Sequence, residues 1–230
     1  MYFDRNVFCF IFARGGSKGI PRKNVKKLHG KPLISYSILT AKNVKYIDEI
    51  FVSTEDEEIK QISLSYGVKV VDRPKELASD NANFLDSVKH IFTIIKSTRE
   101  NNPIIIIMLP TSPIREIKHV EKCIELLEQD IDCVVSVGKV KYHPSKFLRK
   151  NEDDFVEFYS NEKKVPNRQQ EETLYFGNGS IVVSDYAFLK SCKNQIMEGK
   201  TKGFFMDEKH SLDIDSEYEF HVCKKLLDER

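Results

Sequence analysis

The chain has 230 residues, enough for one domain with a full hydrophobic core. Its net charge is +1, from 36 Lys and Arg against 35 Asp and Glu, so overall charge gives no reason to expect nucleic-acid binding. We see no apolar run near the roughly 18 residues of a membrane helix, and no secretory signal pattern. Five cysteines without a Cys-x-x-Cys pair favour reduced, buried thiols in a cytoplasmic protein over a zinc site.

Apolar runs typical of strands alternate with amphipathic stretches typical of helices along the first 140 residues. The predicted strands are residues 8–12, 49–53, 68–71, 104–109 and 132–137. The predicted helices are residues 33–42, 56–66, 85–98 and 118–129, with Gly67 placed to end the second. This alternation predicts an α/β fold with a mostly parallel sheet and helices on both faces. Four consecutive isoleucines at 104–107 indicate a central strand.

The alternation stops after residue 140. Residues 141–176 are polar and charged with scattered aromatic side chains, and a structureless loop of that length is improbable within a compact domain. Two interpretations remain open: a mobile lid, or an arm that packs on another subunit. Strand character returns at residues 180–184, and a last helix is predicted from about Glu217. We therefore treat residues 1–230 as one domain with an inserted segment at 141–176.

The loop after the first predicted strand is the strongest functional signal. It reads Ala-Arg-Gly-Gly-Ser-Lys-Gly-Ile-Pro-Arg-Lys-Asn over residues 13–24, with three glycines and four cations. Glycines permit close approach of backbone amides to an anion and the positive φ angles that we expect in such a turn. Ligands of open α/β sheets bind beyond the carboxyl ends of strands, where this loop lies. A triphosphate is therefore favoured over a solvated basic turn, although the spacing matches neither the P-loop nor the dinucleotide fingerprint.

Asp213 and Asp215 are separated by one residue, which places both carboxylates on one side of an extended backbone. Such a pair suits Mg²⁺, which takes one or two carboxylates and leaves positions for water and phosphate oxygens. The residues alone favour a simpler interpretation, because Ser216-Glu217-Tyr218-Glu219 is a capping-box pattern that begins a helix.

Further motifs follow the glycine loop in a fixed order. They are Val52-Ser53-Thr54, Arg73-Pro74, Leu77-Ala78-Ser79-Asp80, Pro110-Thr111-Ser112-Pro113-Ile114-Arg115, His143-Pro144-Ser145-Lys146, Arg168-Gln169-Gln170, Asn178-Gly179 and Asp213-Ile214-Asp215-Ser216. Together with residues 13–24 they resemble the acylneuraminate cytidylyltransferases, sugar nucleotidyltransferases that make CMP-activated sialic acids and related nonulosonates. The resemblance covers nearly the whole chain. It implies a three-layer α/β/α, Rossmann-like nucleotidyltransferase fold and a homodimer in which residues 141–176 form an arm that helps line the partner's active site.

The resemblance also implies the reaction: CMP passes from CTP to the anomeric hydroxyl of a nonulosonate such as N-acetylneuraminate or legionaminate, and pyrophosphate leaves. The implied catalytic residues are Arg14, Lys23, Asp213 and Asp215, with Mg²⁺ on the two aspartates as the cofactor. The implied nucleotide-binding residues are Arg14, Gly15, Gly16, Ser17, Lys18, Lys23, Asn24, Arg73, Ser79 and Asp80. The implied sugar-binding residues are Leu109, Arg168, Gln169, Gln170 and Asn178.

Leu109 is the most informative departure from the family pattern, because sialic-acid-activating members usually carry a glutamine there. Leucine forms no side-chain hydrogen bond, so a sugar position that is polar in sialic acid would be deoxygenated, acylated or differently oriented in this substrate. Three alternatives stay open. The chain could activate another acidic or modified sugar, or bind nucleotide without catalysis, and the loop at 73–80 could be a surface turn set by Pro74. Asn178-Gly179 is predicted to be a tight turn that opens a strand.

Overall fold

A computed structural model describes residues 2–95, 102–159 and 172–228. Its strands are β1 (Val7–Phe12), β2 (Lys27–Leu28), β3 (Lys31–Pro32), β4 (Glu49–Thr54), β5 (Lys69–Asp72), β6 (Ile104–Met108), β7 (Cys133–Lys139), β8 (Leu148–Lys150), β9 (Val156–Phe158), β10 (Tyr175–Asp185) and β11 (Thr201–Met206). Its α-helices are α1 (Leu33–Asn43), α2 (Glu57–Ser65), α3 (Phe84–Ile94), α4 (Ile117–Glu125), α5 (Tyr186–Ser191) and α6 (Glu217–Asp228).

The central sheet has seven strands in the order β11-β7-β10-β6-β1-β4-β5. Every neighbouring pair is parallel except those of β10, which runs antiparallel to both β6 and β7. The predicted mostly parallel sheet is therefore confirmed. The carboxyl ends of β1, β4, β5 and β6 meet at one edge, so the loops that follow them lie side by side.

Successive side chains of β1 point to opposite faces of the sheet, and helices cover both faces, so the fold has three layers. Val7, Cys9 and Ile11 face one core, which also contains buried residues of α1, α2 and α4. Phe8, Phe10 and Phe12 face a second core, which contains buried residues of α3 and α5. Because successive strand residues point to opposite faces, a strand buried on both sides reads as a continuous apolar run. The isoleucines at 104–107 divide between the two cores in the same way, as expected of a central strand.

A third apolar cluster lies beneath the glycine loop and fixes the segment that carries the two aspartates. It contains Ile20 from the loop, Ile214 from the Asp-Ile-Asp segment and Phe220 from α6, all buried. Ile214 is fully buried, whereas Asp215 is exposed. The packing of Ile214 therefore turns Asp215 outward, in agreement with the alternation predicted for this segment.

The predicted strands and helices of the first 140 residues are all present, with changed boundaries. α4 ends at Glu125 rather than at residue 129. α3 ends at Ile94, and residues 96–98 of the predicted helix lie outside the described residues. Gly67 has φ of +72° directly after α2, as its predicted role in ending that helix requires.

β10 corrects the prediction for residues 175–184. The strand begins at Tyr175, and its pairing with β7 shifts register between Gly177 and Val182. Asn178 and Gly179 lie inside that irregularity, so the prediction that they open a strand is wrong. Gly179 has φ of +66°, which suits a bulge within a strand rather than its start.

The inserted segment at 141–176 contains local structure. β8 and β9 form an antiparallel hairpin in which Leu148 pairs with Phe158. Several of its apolar side chains face solvent, including Phe155, which is 71% exposed, and Val156, which is 63% exposed. A hairpin of this size does not bury its own apolar side chains, so a surface able to contact another molecule remains.

Two observations bear on the class of protein. No helix in the described ranges is long and apolar enough to span a bilayer. All five cysteines are buried and none forms a disulfide, as predicted from their spacing. Burial raises the pKa of the Cys9 thiol to about 12, so this group behaves as an apolar core side chain.

Candidate active site

A cleft of about 430 Å³ lies at the carboxyl edge of the sheet, between the glycine loop and the Asp-Ile-Asp segment. The structure brings eight of the predicted site residues to its walls: Arg14, Ser17, Lys18, Lys23, Asn24, Arg73, Leu109 and Asp215. Phe12, Gly19, Phe84, Pro110 and Thr111 complete the lining. Residues from four separate parts of the chain thus share one cavity.

The glycine loop packs directly against the Asp-Ile-Asp segment. A side chain at Gly19 would place its Cβ 2.0 Å from the carbonyl oxygen of Asp215, so only glycine fits there. A Cβ at Gly15 would lie 2.4 Å from Asp56, whereas Gly16 faces open space. At Gly15 and Gly19, glycine is therefore required by the close approach of neighbouring atoms rather than by the backbone φ angle.

The expected positive φ angle falls elsewhere in the loop. The described glycines with positive φ are Gly30, Gly67 and Gly179, none of which belongs to residues 13–24. Arg22 instead has φ of +57° at the end of the loop. Its guanidinium pairs with Asp56 and Glu58, and these ion pairs hold the strained residue in place.

Lys23 joins the two walls of the cleft. Its Nζ donates to the carbonyl oxygen of Ile214 at 2.6 Å and to Asp215 Oδ1 at 3.0 Å. The Lys23 side chain is 12% exposed and that of Asp215 is 77% exposed. The ammonium group is thus fixed at the base of the cleft, while the carboxylate reaches towards solvent.

Arg14 and Lys18 share one acidic partner, Asp80. Arg14 Nη1 lies 2.9 Å from Asp80 Oδ1, and Lys18 Nζ lies 2.8 Å from Oδ2. The Lys18 ammonium and then the Arg14 guanidinium hold the pKa of Asp80 below its ordinary value. These are exposed ion pairs, which contribute little stability, so an incoming anion can exchange with Asp80 at low cost.

Asp213 is not among the residues that line the cleft, but its surroundings suit a metal ligand. Its Oδ1 is buried and has no hydrogen-bond partner in the described part of the chain. Burial raises the pKa of Asp213, which a hydrogen bond from Thr111 partly offsets and the neighbouring Asp215 carboxylate increases. A buried carboxylate oxygen without a partner beside a second carboxylate is costly unless a cation binds there.

The predicted nucleotide-binding residues differ in how far their polar groups are already hydrogen-bonded within the protein. Asn24 Nδ2 donates to the carbonyl oxygen of Arg14 at 2.9 Å, while Asn24 Oδ1 is buried without a partner in the described ranges. Arg73 is buried and donates to the carbonyl oxygen of Ala13 at 3.1 Å. Ser79 lies outside the cleft lining and donates its hydroxyl to Glu76 O at 2.8 Å.

The predicted sugar-binding residues also differ in whether their side chains are available to a ligand. Leu109 lines the cleft and also an adjoining, mainly apolar cavity of about 320 Å³. Asn178 is buried, and its amide uses all four hydrogen-bonding positions: Oδ1 accepts from Ser136 Oγ and Ser180 N, and Nδ2 donates to Ser211 Oγ and weakly to Met206 Sδ. Arg168, Gln169 and Gln170 lie outside the described residues.

Known proteins resemble this chain in sequence and in fold. A family model described as "Cytidylyltransferase" matches residues 8–225, nearly the whole chain. The chain belongs to the cytidylyltransferase family. An N-acylneuraminate cytidylyltransferase of Streptococcus agalactiae serotype V is 34% identical over 224 residues, which are 95% of this chain and 53% of that protein. The chain therefore spans about half the length of the first curated relatives that it matches.

Two further relatives match along nearly their full length. The post-translational flagellin modification protein B of Campylobacter coli is 32% identical over 228 residues, which are 97% of this chain and 96% of that protein. A CMP:2-keto-3-deoxy-manno-octonic acid synthetase, solved in complex with CTP, superposes with a TM-score of 0.72 at 16% identity, covering 97% of this chain and 99% of that one. At that identity the structural likeness supports the cytidylyltransferase fold alone.

Two residues that support the walls of the cleft without lining it were not predicted to have a role. Glu55 follows β4, accepts from the Gly15 amide at 2.7 Å and pairs with Arg73 at 2.8 Å. Its carboxylate thus ties the glycine loop to the loop after β5. Arg115 is fully buried and donates to the carbonyl oxygens of Ser180 and Leu109, so it braces both sides of the sugar-side wall. Burial lowers the pKa of Arg115 to about 10, yet the side chain stays charged at neutral pH.

Proposed function

We propose that the protein transfers CMP from CTP to the anomeric hydroxyl of a sialic-acid-like nonulosonate and releases pyrophosphate. One observation carries the proposal: the cationic glycine loop and the Asp-Ile-Asp segment form two walls of one cleft, which Asp215 lines, and the two walls are in contact at Gly19 and joined by Lys23. Binding of a triphosphate needs cations and backbone amides. Transfer of the nucleotidyl group needs a divalent metal ion beside the same phosphates. Family membership and the names of the relatives agree with this reaction.

The triphosphate would bind along the glycine loop. Arg14 and Lys18 exchange Asp80 for phosphate oxygens, and Lys23 meets the phosphate nearest Asp215. Loop amides and Asn24 add uncharged contacts, and Arg73, held by Glu55, supports the base-side wall. Cations and fixed dipoles of this kind favour the transition state because the charge on the phosphates redistributes as the bond breaks.

Asp213 and Asp215 would hold the metal ion, and we propose Mg²⁺. The partnerless Asp213 Oδ1 and the exposed Asp215 carboxylate offer the oxygen donors that this ion prefers. When bound, Mg²⁺ supplies positive charge to the phosphates. Lys23, already against Asp215, keeps a second positive charge at the same position.

The transfer itself needs orientation more than covalent help from the protein. The anomeric hydroxyl gives its proton to solvent as its oxygen forms a bond to the α-phosphorus, and the bond from that phosphorus to the bridging oxygen of pyrophosphate breaks in line. Arg14 and Lys23 neutralise the departing pyrophosphate, and the sugar-side wall aims the hydroxyl. The alternative of a non-catalytic nucleotide-binding protein explains the cations but gives the partnerless Asp213 oxygen no role.

The sugar side of the cleft favours a substrate with apolar substituents. Leu109 borders an adjoining cavity whose walls include Ile107, Val135 and Ile181. The cavity is also lined by Asn83, Ser136, Asn194 and Gln195. A hydroxyl buried against the apolar side chains would lack a partner, at a cost of about 1–3 kcal/mol, whereas a methyl or deoxy carbon would gain by burial. Asn178 serves this wall by holding β10 in place. Contacts from Arg168, Gln169 and Gln170 to the sugar remain part of the proposal.

We further propose a homodimer in which residues 141–176 form the arm between subunits. The exposed apolar side chains of the β8–β9 hairpin support an interface rather than a solvated lid. The unpaired, buried cysteines support a cytoplasmic location.

Pyrophosphate release tests the proposed reaction. The protein is incubated with Mg²⁺, one of the four ribonucleoside triphosphates and one of several nonulosonic acids. We expect release with CTP that depends on an acid. Arg14→Ala should lower kcat/KM a few hundred-fold, about 3–4 kcal/mol of transition-state stabilisation. Lys69→Ala, which removes an exposed lysine paired with Glu49 far from the cleft, is the matched control. Equal turnover of ATP and CTP, or an unchanged Arg14→Ala, contradicts the proposal.

A further inference from the structure

A second group of metal-binding side chains lies outside the cleft, where the start of α4 meets the turn after β11. Glu116 and His119 belong to the start of α4, and His210 belongs to the turn. One carboxylate oxygen of Glu116 and one nitrogen of each ring lie within 4.8 Å of one another. The two histidine rings contact edge to face, with centroids 4.6 Å apart.

The spacing is close to that of a metal's ligand shell. His210 Nε2 lies 3.2 Å from Glu116 Oε1. Ligand atoms around a tetrahedral zinc ion, with bonds of about 2.1 Å, lie about 3.4 Å apart. This pair therefore needs no movement, and the widest pair in the cluster needs to approach by about 1.4 Å at most. Rotation of one side chain supplies a change of that size.

Asp207 provides the outer support that metal-bound histidines usually have. Its Oδ1 lies 2.7 Å from His210 Nδ1 and also accepts from the His210 backbone amide at 2.9 Å. In the tautomer that carries its proton on Nδ1, this proton is donated to Asp207 and the Nε2 lone pair is directed at Glu116. A metal ion placed between His210 Nε2 and Glu116 Oε1 would then bind both atoms.

We propose that Glu116, His119 and His210 bind one transition-metal ion of the Zn²⁺ class, at a site distinct from Asp213 and Asp215. Two imidazoles and one carboxylate suit Zn²⁺ or Co²⁺, whereas Mg²⁺ and Ca²⁺ prefer oxygen ligands alone. Three protein ligands leave the fourth position for water.

Binding requires two exchanges, and the Glu116 carboxylate also accepts from the His119 backbone amide at the helix start. His119 Nδ1 accepts a 3.2 Å hydrogen bond from the Glu116 amide, and the ring gives up this bond whichever nitrogen binds the metal. Lys118 pairs with the other carboxylate oxygen of Glu116 and is 70% exposed, so it can move into solvent. Neither exchange breaks a hydrogen bond of the central sheet.

The site would join two segments that already shape the catalytic cleft. His210 precedes Asp213 by three residues, and Ile214 N donates to the carbonyl oxygen of Thr111 at 2.9 Å. Glu116 lies five residues after Thr111. A bound ion would therefore restrain the turn at 207–211 and the segment that carries the two aspartates.

Cobalt and zinc titrations of the tag-free full chain test this proposal. Visible absorption of Co²⁺ is recorded in excess Mg²⁺, which occupies the carboxylate pair, and zinc affinity is measured by competition. We expect one ion per chain, low-coordinate cobalt bands, and slower amide hydrogen exchange over residues 207–215 with Zn²⁺. Glu116→Gln and His210→Gln should weaken binding at least 10-fold, and Asp207→Asn about 10-fold. His221→Gln, an exposed histidine on α6, is the control and should bind as wild type.

Four outcomes would overturn the assignment. They are the absence of saturable binding, wild-type affinity in Glu116→Gln and His210→Gln, intense charge-transfer bands that indicate a cysteine ligand, and loss of the cobalt signal in the double variant Asp213→Asn, Asp215→Asn. Glu116→Gln keeps the size of the side chain and an acceptor for the helix start, so it separates loss of the metal from loss of the fold. Because the readout is metal binding, it is independent of whether CMP transfer is observed.

Discussion

Leu109 is the single residue that bears most on which sugar is used. It faces both the cleft and the adjoining, mainly apolar cavity, and Gly179 lies against it, since a Cβ at position 179 would be 3.2 Å from Leu109 Cδ1. A longer polar side chain at position 109 would therefore point into the space where the proposed sugar binds. Arg115 holds the Leu109 carbonyl oxygen, so the backbone at this position is fixed.

Leu109→Gln should change sugar preference without weakening CTP binding. Wild type is expected to use deoxygenated nonulosonates such as legionaminate better than N-acetylneuraminate. The variant should shift the ratio of kcat/KM towards N-acetylneuraminate by about 10-fold, the scale of one added hydrogen bond. Steady-state kinetics with both sugars measures the ratio. If wild type already uses N-acetylneuraminate as efficiently as the deoxy sugars, Leu109 does not determine specificity.

In the metal-free protein, the ionised Asp213 side chain should lower the free energy of unfolding at neutral pH. Burial raises its pKa, so the folded state holds a proton that the unfolded state has already lost between the ordinary aspartate pKa and the raised value. Stability therefore falls as pH rises through this window, and the penalty is full above it. Asp213→Asn should raise Tm in EDTA at neutral pH, and the gain should disappear at pH values below the ordinary pKa. Mg²⁺ should raise the Tm of wild type only. A variant less stable than wild type in EDTA at neutral pH contradicts this account.

At the scale of elements, the glycine loop depends on one close contact. Gly19→Ala places a methyl group where the Asp215 carbonyl oxygen lies, so the loop and the Asp-Ile-Asp segment must separate. A displacement of about 1 Å at a reacting centre costs about 100-fold in rate, and we expect a loss of that size in kcat/KM. Gly203→Ala on β11, where the added Cβ would make only ordinary contacts at 3.5 Å or more, is the matched control and should stay within about 3-fold. Equal effects of the two substitutions would show that the contact is unimportant.

Periodicity predicted most elements because most are buried on a regular pattern. β6 is an unbroken apolar run covered on both faces, and α3 carries apolar residues at helical spacing. β10 was placed five residues too late, because Tyr175 and Phe176 are exposed and the bulge at Asn178 interrupts the alternation. Register shifts depend on the neighbouring strand, which local sequence does not report.

The charged motifs of the site could be predicted from the sequence. The side chains that hold those motifs in place could not. The cations of residues 13–24 and the Asp-x-Asp pair stand out by residue type. Glu55 does not, because one carboxylate after a strand is common, and only the fold brings it to Gly15 and Arg73. The prediction of positive φ angles at the loop glycines was wrong. Gly19 is needed for close contact with Asp215, and the residue with the left-handed conformation is Arg22.

The whole molecule should be a homodimer with shared active sites. Arg168→Ala and Asp213→Asn should each be inactive alone. When the two are mixed and allowed to exchange subunits, heterodimers contain one site with both wild-type residues, so part of the activity should return. Sedimentation velocity checks the assembly at assay concentrations. A fully active monomer contradicts both the shared site and the proposed role of the 141–176 arm.

The central claim is that the two walls of the cleft join a nucleotide to a sugar acid, and the product tests it most directly. Purified protein is incubated with CTP, Mg²⁺ and a nonulosonic acid, and the mixture is resolved by anion exchange with mass detection. The account predicts a CMP-sugar formed one-to-one with pyrophosphate, at a rate reduced at least 100-fold in Asp213→Asn. Pyrophosphate released with CMP alone, or CTP bound without turnover with any acid, would contradict it.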